Sequence, residues 1–162
     1  MTETRNRLRA FVLIVLLAGL AAAQSAKSPY VSVAPVGLVT AQRTVQTKVS
    51  LNFRVAGGFH INSNTPKSEF LIPTQLKMDV PTDIVLGKID YPAGKDLAFP
   101  FSPDEKLNVY NGDFTITLVV HPLKSVVPGK YVMHGMLRYQ ACDQSQCMPP
   151  RTITVPIDVI GK

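Results

Sequence analysis

Residues Val45–Val55 read VQTKVSLNFRV, with Val45, Thr47, Val49, Leu51, Phe53 and Val55 on one phase and Gln46, Lys48, Ser50, Asn52 and Arg54 on the other. Successive side chains of an extended chain point to opposite faces, so an alternation of this length marks a strand with one face buried. The pattern recurs at Leu76, Met78 and Val80, at Phe114, Ile116, Leu118 and Val120, at Tyr131, Met133, Gly135, Leu137 and Tyr139, and at Ile153, Val155, Ile157 and Val159. Shorter strands fit Val31–Val33, Phe59–Asn62, Ile84–Asp90 and Leu107–Tyr110. Between them lie turn-forming clusters: Gly57-Gly58, Pro81-Thr82-Asp83, Pro92-Ala93-Gly94, Asn111-Gly112-Asp113 and Pro128-Gly129. Asn-Gly is a two-residue hairpin signal, so Asn111-Gly112 predicts a hairpin. The 13 prolines leave no stretch with helical periodicity. Many short strands at regular spacing predict an all-β sandwich, with a jelly roll as the rival architecture.

The start of the chain bears on its compartment. Arg5, Arg7 and Arg9 precede an apolar run from Ala10 to Ala23, which ends with Ala21 and Ala23 in A-x-A positions before Gln24. That three-part pattern is a secretory signal peptide over residues 1–23. The run is shorter than the roughly 20 residues that span a bilayer; an uncleaved anchor is the alternative. Residues 24–40 then form a lead-in segment and residues 41–162 the sandwich domain, with no membrane span after cleavage. The net charge of +6 drops to about +4 without the leader, which holds three arginines and one glutamate. The remaining cations are scattered without an aromatic-rich basic stripe, so no nucleic-acid partner is expected. Export points the same way.

The chemistry-bearing cluster is Tyr139-Gln140-Ala141-Cys142-Asp143-Gln144-Ser145-Gln146-Cys147-Met148-Pro149-Pro150, between two strong strand patterns. Asp143, Gln144, Ser145 and Gln146 are all polar, which puts the thiols near the surface. In an exported protein such a pair oxidises readily. A purely structural disulfide would contribute little, because closing so short a loop is worth only about 2 kcal/mol on the chain-entropy model. Short exposed disulfides are also the more exchangeable ones. Spacing alone leaves the structural and the redox-active readings both open.

Together with Gly57-Gly58-Phe59-His60-Ile61-Asn62 and Leu107-Asn108-Val109-Tyr110, the Tyr-Gln-Ala-Cys lead and the Cys-Met-Pro-Pro exit resemble the N-terminal periplasmic domain of the thiol:disulfide interchange protein DsbD, over about Val45 to Val159. The resemblance implies an immunoglobulin-like antiparallel β-sandwich in the periplasm and a reversible dithiol/disulfide at Cys142 and Cys147. It makes Cys147 the residue of the mixed disulfide and Cys142 the resolving thiol. It implies thioredoxin-like exported or membrane-bound redox proteins as partners, and a monomer suits such transient exchange. It also implies a cap loop with a shielding aromatic residue, matched here by Leu97-Ala98-Phe99-Pro100-Phe101-Ser102-Pro103, so Phe99 and Phe101 are the cap candidates; the alternative is that both pack into the core. The chain departs from the family in having four residues rather than five between the cysteines. It also has His60 and Asn62 where site-flanking tyrosines are usual, and Tyr139 completes the flanking set. No transmembrane part or thioredoxin-like domain follows, so the electron donor is expected to be a separate protein.

Other chemistries find little footing. His60 could, as an imidazolium, favour a nearby thiolate, or be an ordinary strand residue. His121 and His134 have no carboxylate or serine at a useful spacing. A soft metal ion on Cys142, Cys147, Met148 and a histidine would lack any CxxC, His-x-His or methionine cluster, so neither a metal nor another cofactor is expected. A Gly-x-Ser-x-Gly elbow and a phosphate-binding glycine loop are absent from the sequence. The rival function from another class is a non-enzymatic exported binding module with a purely structural disulfide.

Overall fold

The computed structural model describes residues 30–162. The signal peptide expected over residues 1–23 lies outside the described residues, as does the first part of the lead-in. Among the described residues every regular element is a strand, and no helix is long and apolar enough to cross a membrane.

The first sheet has the order β1 (Val31–Val33), β3 (Thr47–Val55), β9 (Asp113–Pro122), β6 (Ile84–Asp90). Val49, Leu51, Phe53 and Val55 on β3 are buried, as the alternation requires, and so are Phe114, Ile116, Leu118 and Val120 on β9. Register explains why the two sets share one face: Leu51 lies opposite Ile116 and Phe53 opposite Phe114, and the last two rings stack at 5.2 Å. The second sheet has the order β2 (Val39–Ala41), β12 (Arg151–Gly161), β10 (Gly129–Tyr139), β5 (Gln75–Asp79). Its inner face supplies Met133, Leu137, Val155, Ile157 and Val159 to the same core cluster. Each such side chain contributes about 1.5–3 kcal/mol on full burial. The result is an immunoglobulin-like antiparallel sandwich, with one parallel pair where β2 joins β12. Both short strands of the lead-in, β1 and β2, are paired into it.

A third, smaller sheet carries the cysteines: β11 (Ala141–Cys142), β4 (His60–Asn62), β8 (Ser102–Tyr110), β7 (Lys95–Phe99). Its strands continue those of the main sheets. β3 leads into β4 through Gly57-Gly58, and β10 leads into β11 across Gln140. The expected Asn111-Gly112 hairpin is a corner instead: β8 pairs with β4 and β7, β9 with β3 and β6, and the two do not pair with each other. Gly112 has φ +64°, and its carbonyl accepts from Val55 N at 2.9 Å. The Asn-Gly signal reports a need for positive φ, and a change of sheet meets that need as well as a hairpin does. Tyr110 and Phe114, stacked at 4.9 Å, hold the two sides of the corner together.

Candidate functional site

β11 adds only two residues to the third sheet, but they set the site. Ala141 lies opposite Ile61 and Cys142 opposite His60. Directly opposed residues of an antiparallel pair project on the same face, so Ile61 and Ala141 enter the core while His60 and Cys142 share the other face. Cys142 is bonded to Cys147, with their Cα atoms 3.9 Å apart. That is closer than the roughly 4.4–6.8 Å of most disulfides. Cys142 also bridges to Cys147 in the β sense, and Met148 N donates to Ala141 O at 2.8 Å, so the chain doubles back tightly on itself. Pro149 and Pro150 offer no N–H to prolong the pairing, and β12 starts immediately after them.

The two sulfur-bearing residues are not equivalent. The sequence places both thiols near the surface, yet Cys142 is completely buried and Cys147 is exposed. The polar run between them does reach solvent; Cys142 before it does not, because β11 is clamped to β4.

Asp143 organises that run. Its Oδ1 accepts from Ser145 N at 2.7 Å, Ser145 Oγ at 2.8 Å and Gln146 N at 2.9 Å, and Asp143 N donates to Gln146 O at 2.9 Å. The backbone N–H donors of Ser145 and Gln146 hold its carboxyl below the ordinary value, as does, more weakly, the Ser145 hydroxyl. Asp-x-Ser is an Asx-turn signal legible in the sequence. Gln140 is the other residue the motif reading did not single out for a role. Its Nε2 donates to Met148 O at 3.2 Å, and its Oε1 accepts from Asn62 Nδ2 at 3.3 Å. It therefore ties β4 to the far side of the cysteine loop.

Of the flanking candidates, His60 is only 3% exposed and Asn62 and Tyr139 not at all. Asn62 Nδ2 also donates to Ile72 O at 3.0 Å, and Thr74 Oγ1 donates to Asn62 O at 2.5 Å. Tyr139 belongs to the main core at the end of β10. Burial lowers the His60 pKa below the ordinary histidine value, opposed by the Asp143 charge. Its ring is thus neutral at pH 7, and the imidazolium considered from sequence is not the form this environment favours.

The two cap candidates part company. Both flank Pro100 at the tip of the β7–β8 hairpin. The Phe99 ring stacks on the His60 imidazole at 3.9 Å and is 6% exposed. Phe101 stacks behind Phe99 at 5.5 Å and is 37% exposed. Phe99, Leu107 and Val109, with Leu71 and Leu97 against them, form a small cluster separate from the main core. Neither phenylalanine joins the main core: Phe99 is buried in the small cluster against His60, and Phe101 lies outside it. Leu71 comes from the β4–β5 connection, which Lys67 pins to Asp96 of β7 at 2.7 Å. Beside Leu71, Phe70 is 88% exposed. His121 is half-buried and His134 exposed; both lie on other strands. Among the described residues no group of three His, Cys, Asp or Glu side chains could hold a metal ion.

The family model for the N-terminal region of the thiol:disulfide interchange protein DsbD matches residues 29–158. Among solved structures, the reduced DsbD N-terminal domain of Neisseria meningitidis is 21% identical, with 74% of this chain and 82% of that one covered and a TM-score of 0.47. The N-terminal periplasmic domain of ScsB from Proteus mirabilis is 13% identical, covering 79% of this chain and 44% of that one, with a TM-score of 0.49. The fimbrial major subunit AggA from Escherichia coli is 11% identical, covering 82% and 93%, with a TM-score of 0.37. No curated protein sequence matches the chain.

Proposed function

We propose, since this chain belongs to the family of DsbD N-terminal domains, that it is a thiol:disulfide exchange domain working through a reversible Cys142–Cys147 pair. The observation that carries this reading is the asymmetry of the pair: an exposed Cys147 joined to a fully buried Cys142 across a short loop. Exchange needs one sulfur that a partner can reach and a second one held ready behind it. In the reduced protein the Cys147 thiolate attacks a partner's disulfide and forms a mixed disulfide. Cys142 then attacks the Cys147 sulfur, closing the intramolecular bond and releasing the partner as a dithiol. A thioredoxin-like donor restores the dithiol by the reverse sequence. Phe99, stacked over the residue opposite Cys142, serves as the cap, with Phe101 outside it. The N-terminal leader pattern supports action in the periplasm.

The test is a trapping experiment with the purified domain and a thioredoxin-like protein in its disulfide form. Cys142→Ser, with Cys147 retained, is expected to accumulate a one-to-one mixed disulfide that a reducing agent dissolves, while Cys147→Ser gives none. If neither variant yields an adduct, and the pair's reduction potential lies well below about −300 mV, where structural disulfides fall, the domain is a binding module with a structural disulfide.

A further inference from the structure

Two buried side-chain nitrogen or oxygen atoms among the described residues lack a hydrogen-bond partner: His60 Nε2 and Asn62 Oδ1. Both belong to β4, two residues apart and so on one face. That face also holds Cys142, directly opposite His60. Buried polar atoms are almost always paired, so an exception calls for a reason. Here the unpaired atoms cluster at the one buried group whose hydrogen-bonding capacity changes with redox state. In the disulfide, Cys142 has no proton to offer; in the dithiol it carries an S–H, which is a donor.

Resting on the exchange reading above, we propose that His60 is the proton acceptor for Cys142 in the resolving step. Cys142 needs such a group. It has no solvent exposure, an apolar setting disfavours thiolate, and only the thiolate is a competent nucleophile. As the Cys142 sulfur forms its bond to the Cys147 sulfur, the bond between Cys147 and the partner's sulfur breaks and its electron pair leaves on the partner. The Cys142 proton passes to His60 Nε2 and from there to the departing thiolate. The domain's dithiol is oxidised, the partner's disulfide is reduced, and His60 ends neutral. The reverse reaction uses the same group as the acid. The surroundings suit a neutral base. Phe99 and Phe101 stack on the ring side and carry no charge, Asn62 beside it is uncharged, and Asp143 is the one charged group that registers on it. Burial outweighs Asp143, so the lone pair is available at neutral pH.

One equivalent of a chromogenic aromatic disulfide, mixed with the reduced domain in a stopped-flow instrument, separates the steps. The first thiolate released reports attack by Cys147, and the second reports resolution by Cys142. In the wild type the second phase should be flat in rate from pH 8 to 6.5 and fall below that as the imidazole protonates. His60→Phe, which keeps an aromatic ring against Phe99, should slow the second phase about 10²-fold at pH 7, the lower end of general-base effects. It should leave the first phase within about twofold, and make the second rise about tenfold per pH unit with thiol ionisation. His60→Gln, which can accept a hydrogen bond but not a proton, should show the same steep profile. The proposal is overturned if both variants resolve within about twofold of wild type. A wild-type second phase that already climbs tenfold per pH unit between pH 6.5 and 8 overturns it too, and that result needs no variant to fold. Absence of the first phase in the wild type would instead overturn the exchange reading itself.

Discussion

Cys142 and Cys147 differ in exposure because one is held by a strand pair and the other by a turn, and the neighbours of each inherit that difference. Phe99 lies over His60 and is nearly buried, whereas Phe101 is partly open to solvent. Replacing Phe99 by Ala is expected to speed reduction of the disulfide by dithiothreitol severalfold, while Phe101→Ala leaves the rate near wild type. Equal rates in all three proteins would remove Phe99 from the cap. His60 also makes stability depend on pH. Its folded pKa is depressed, so between that value and about 6.5 the unfolded chain binds more protons and stability rises with pH. Urea midpoints should thus be level above about pH 6.5, decline on acidification below it, and lose that decline in His60→Phe. Asp143, Asp96 and Asp113, whose carboxyl pKa values are lowered by their hydrogen-bond donors, act in a separate window. Their contribution is present above about pH 4 and fades as the pH falls through their lower folded values.

Among the elements, the β7–β8 hairpin stands apart. β7 pairs with β8 alone, and Leu97, Phe99, Leu107 and Val109 pack in the small cluster, while Tyr110 at the end of β8 joins the main core. Segments with few buried contacts open at a lower free energy than the core strands. Amides of Lys95–Phe99 should consequently exchange hydrogen well ahead of those in β3, β9 and β10, by native-state exchange. Protection equal to the core would mean the hairpin does not open on its own. β10 presents the opposite case, an element with no room to spare. A Cβ built on Gly135 would come within 2.8 Å of Met78 Sδ and 3.0 Å of Val155 O. Gly135→Ala should therefore lower stability in urea by about 1–3 kcal/mol, as overpacking does.

For the whole molecule, the disulfide closes a short local loop and the sandwich has its own continuous core, drawn from both main sheets. Reduction should thus remove no more than about 2 kcal/mol and leave the far-ultraviolet circular dichroism spectrum of the oxidised form unchanged. Unfolding on reduction would make the bond a staple and count against reversible exchange. A domain that must survive in both redox states has to derive its stability from elsewhere, and here the inward faces of β3, β9, β10 and β12 supply it.

The sequence by itself determined that this chain is an all-β sandwich with a cysteine pair of the DsbD N-terminal type. Period-two alternation is local, and Val45–Val55 announces a half-buried strand whatever it pairs with. The cysteine motif is contiguous as well. Pairing, register and burial belong to residues far apart in the chain, and only the tertiary structure decided them. It turned Asn111-Gly112 from a hairpin into a corner between sheets, since positive φ says nothing about which strands meet. It separated Phe99 from Phe101, since which ring lies against His60 and is buried depends on how the hairpin tip packs on β4. It also set His60 opposite Cys142 across a gap of many residues, where burial disfavours the imidazole's charge and its Nε2 has no hydrogen-bond partner.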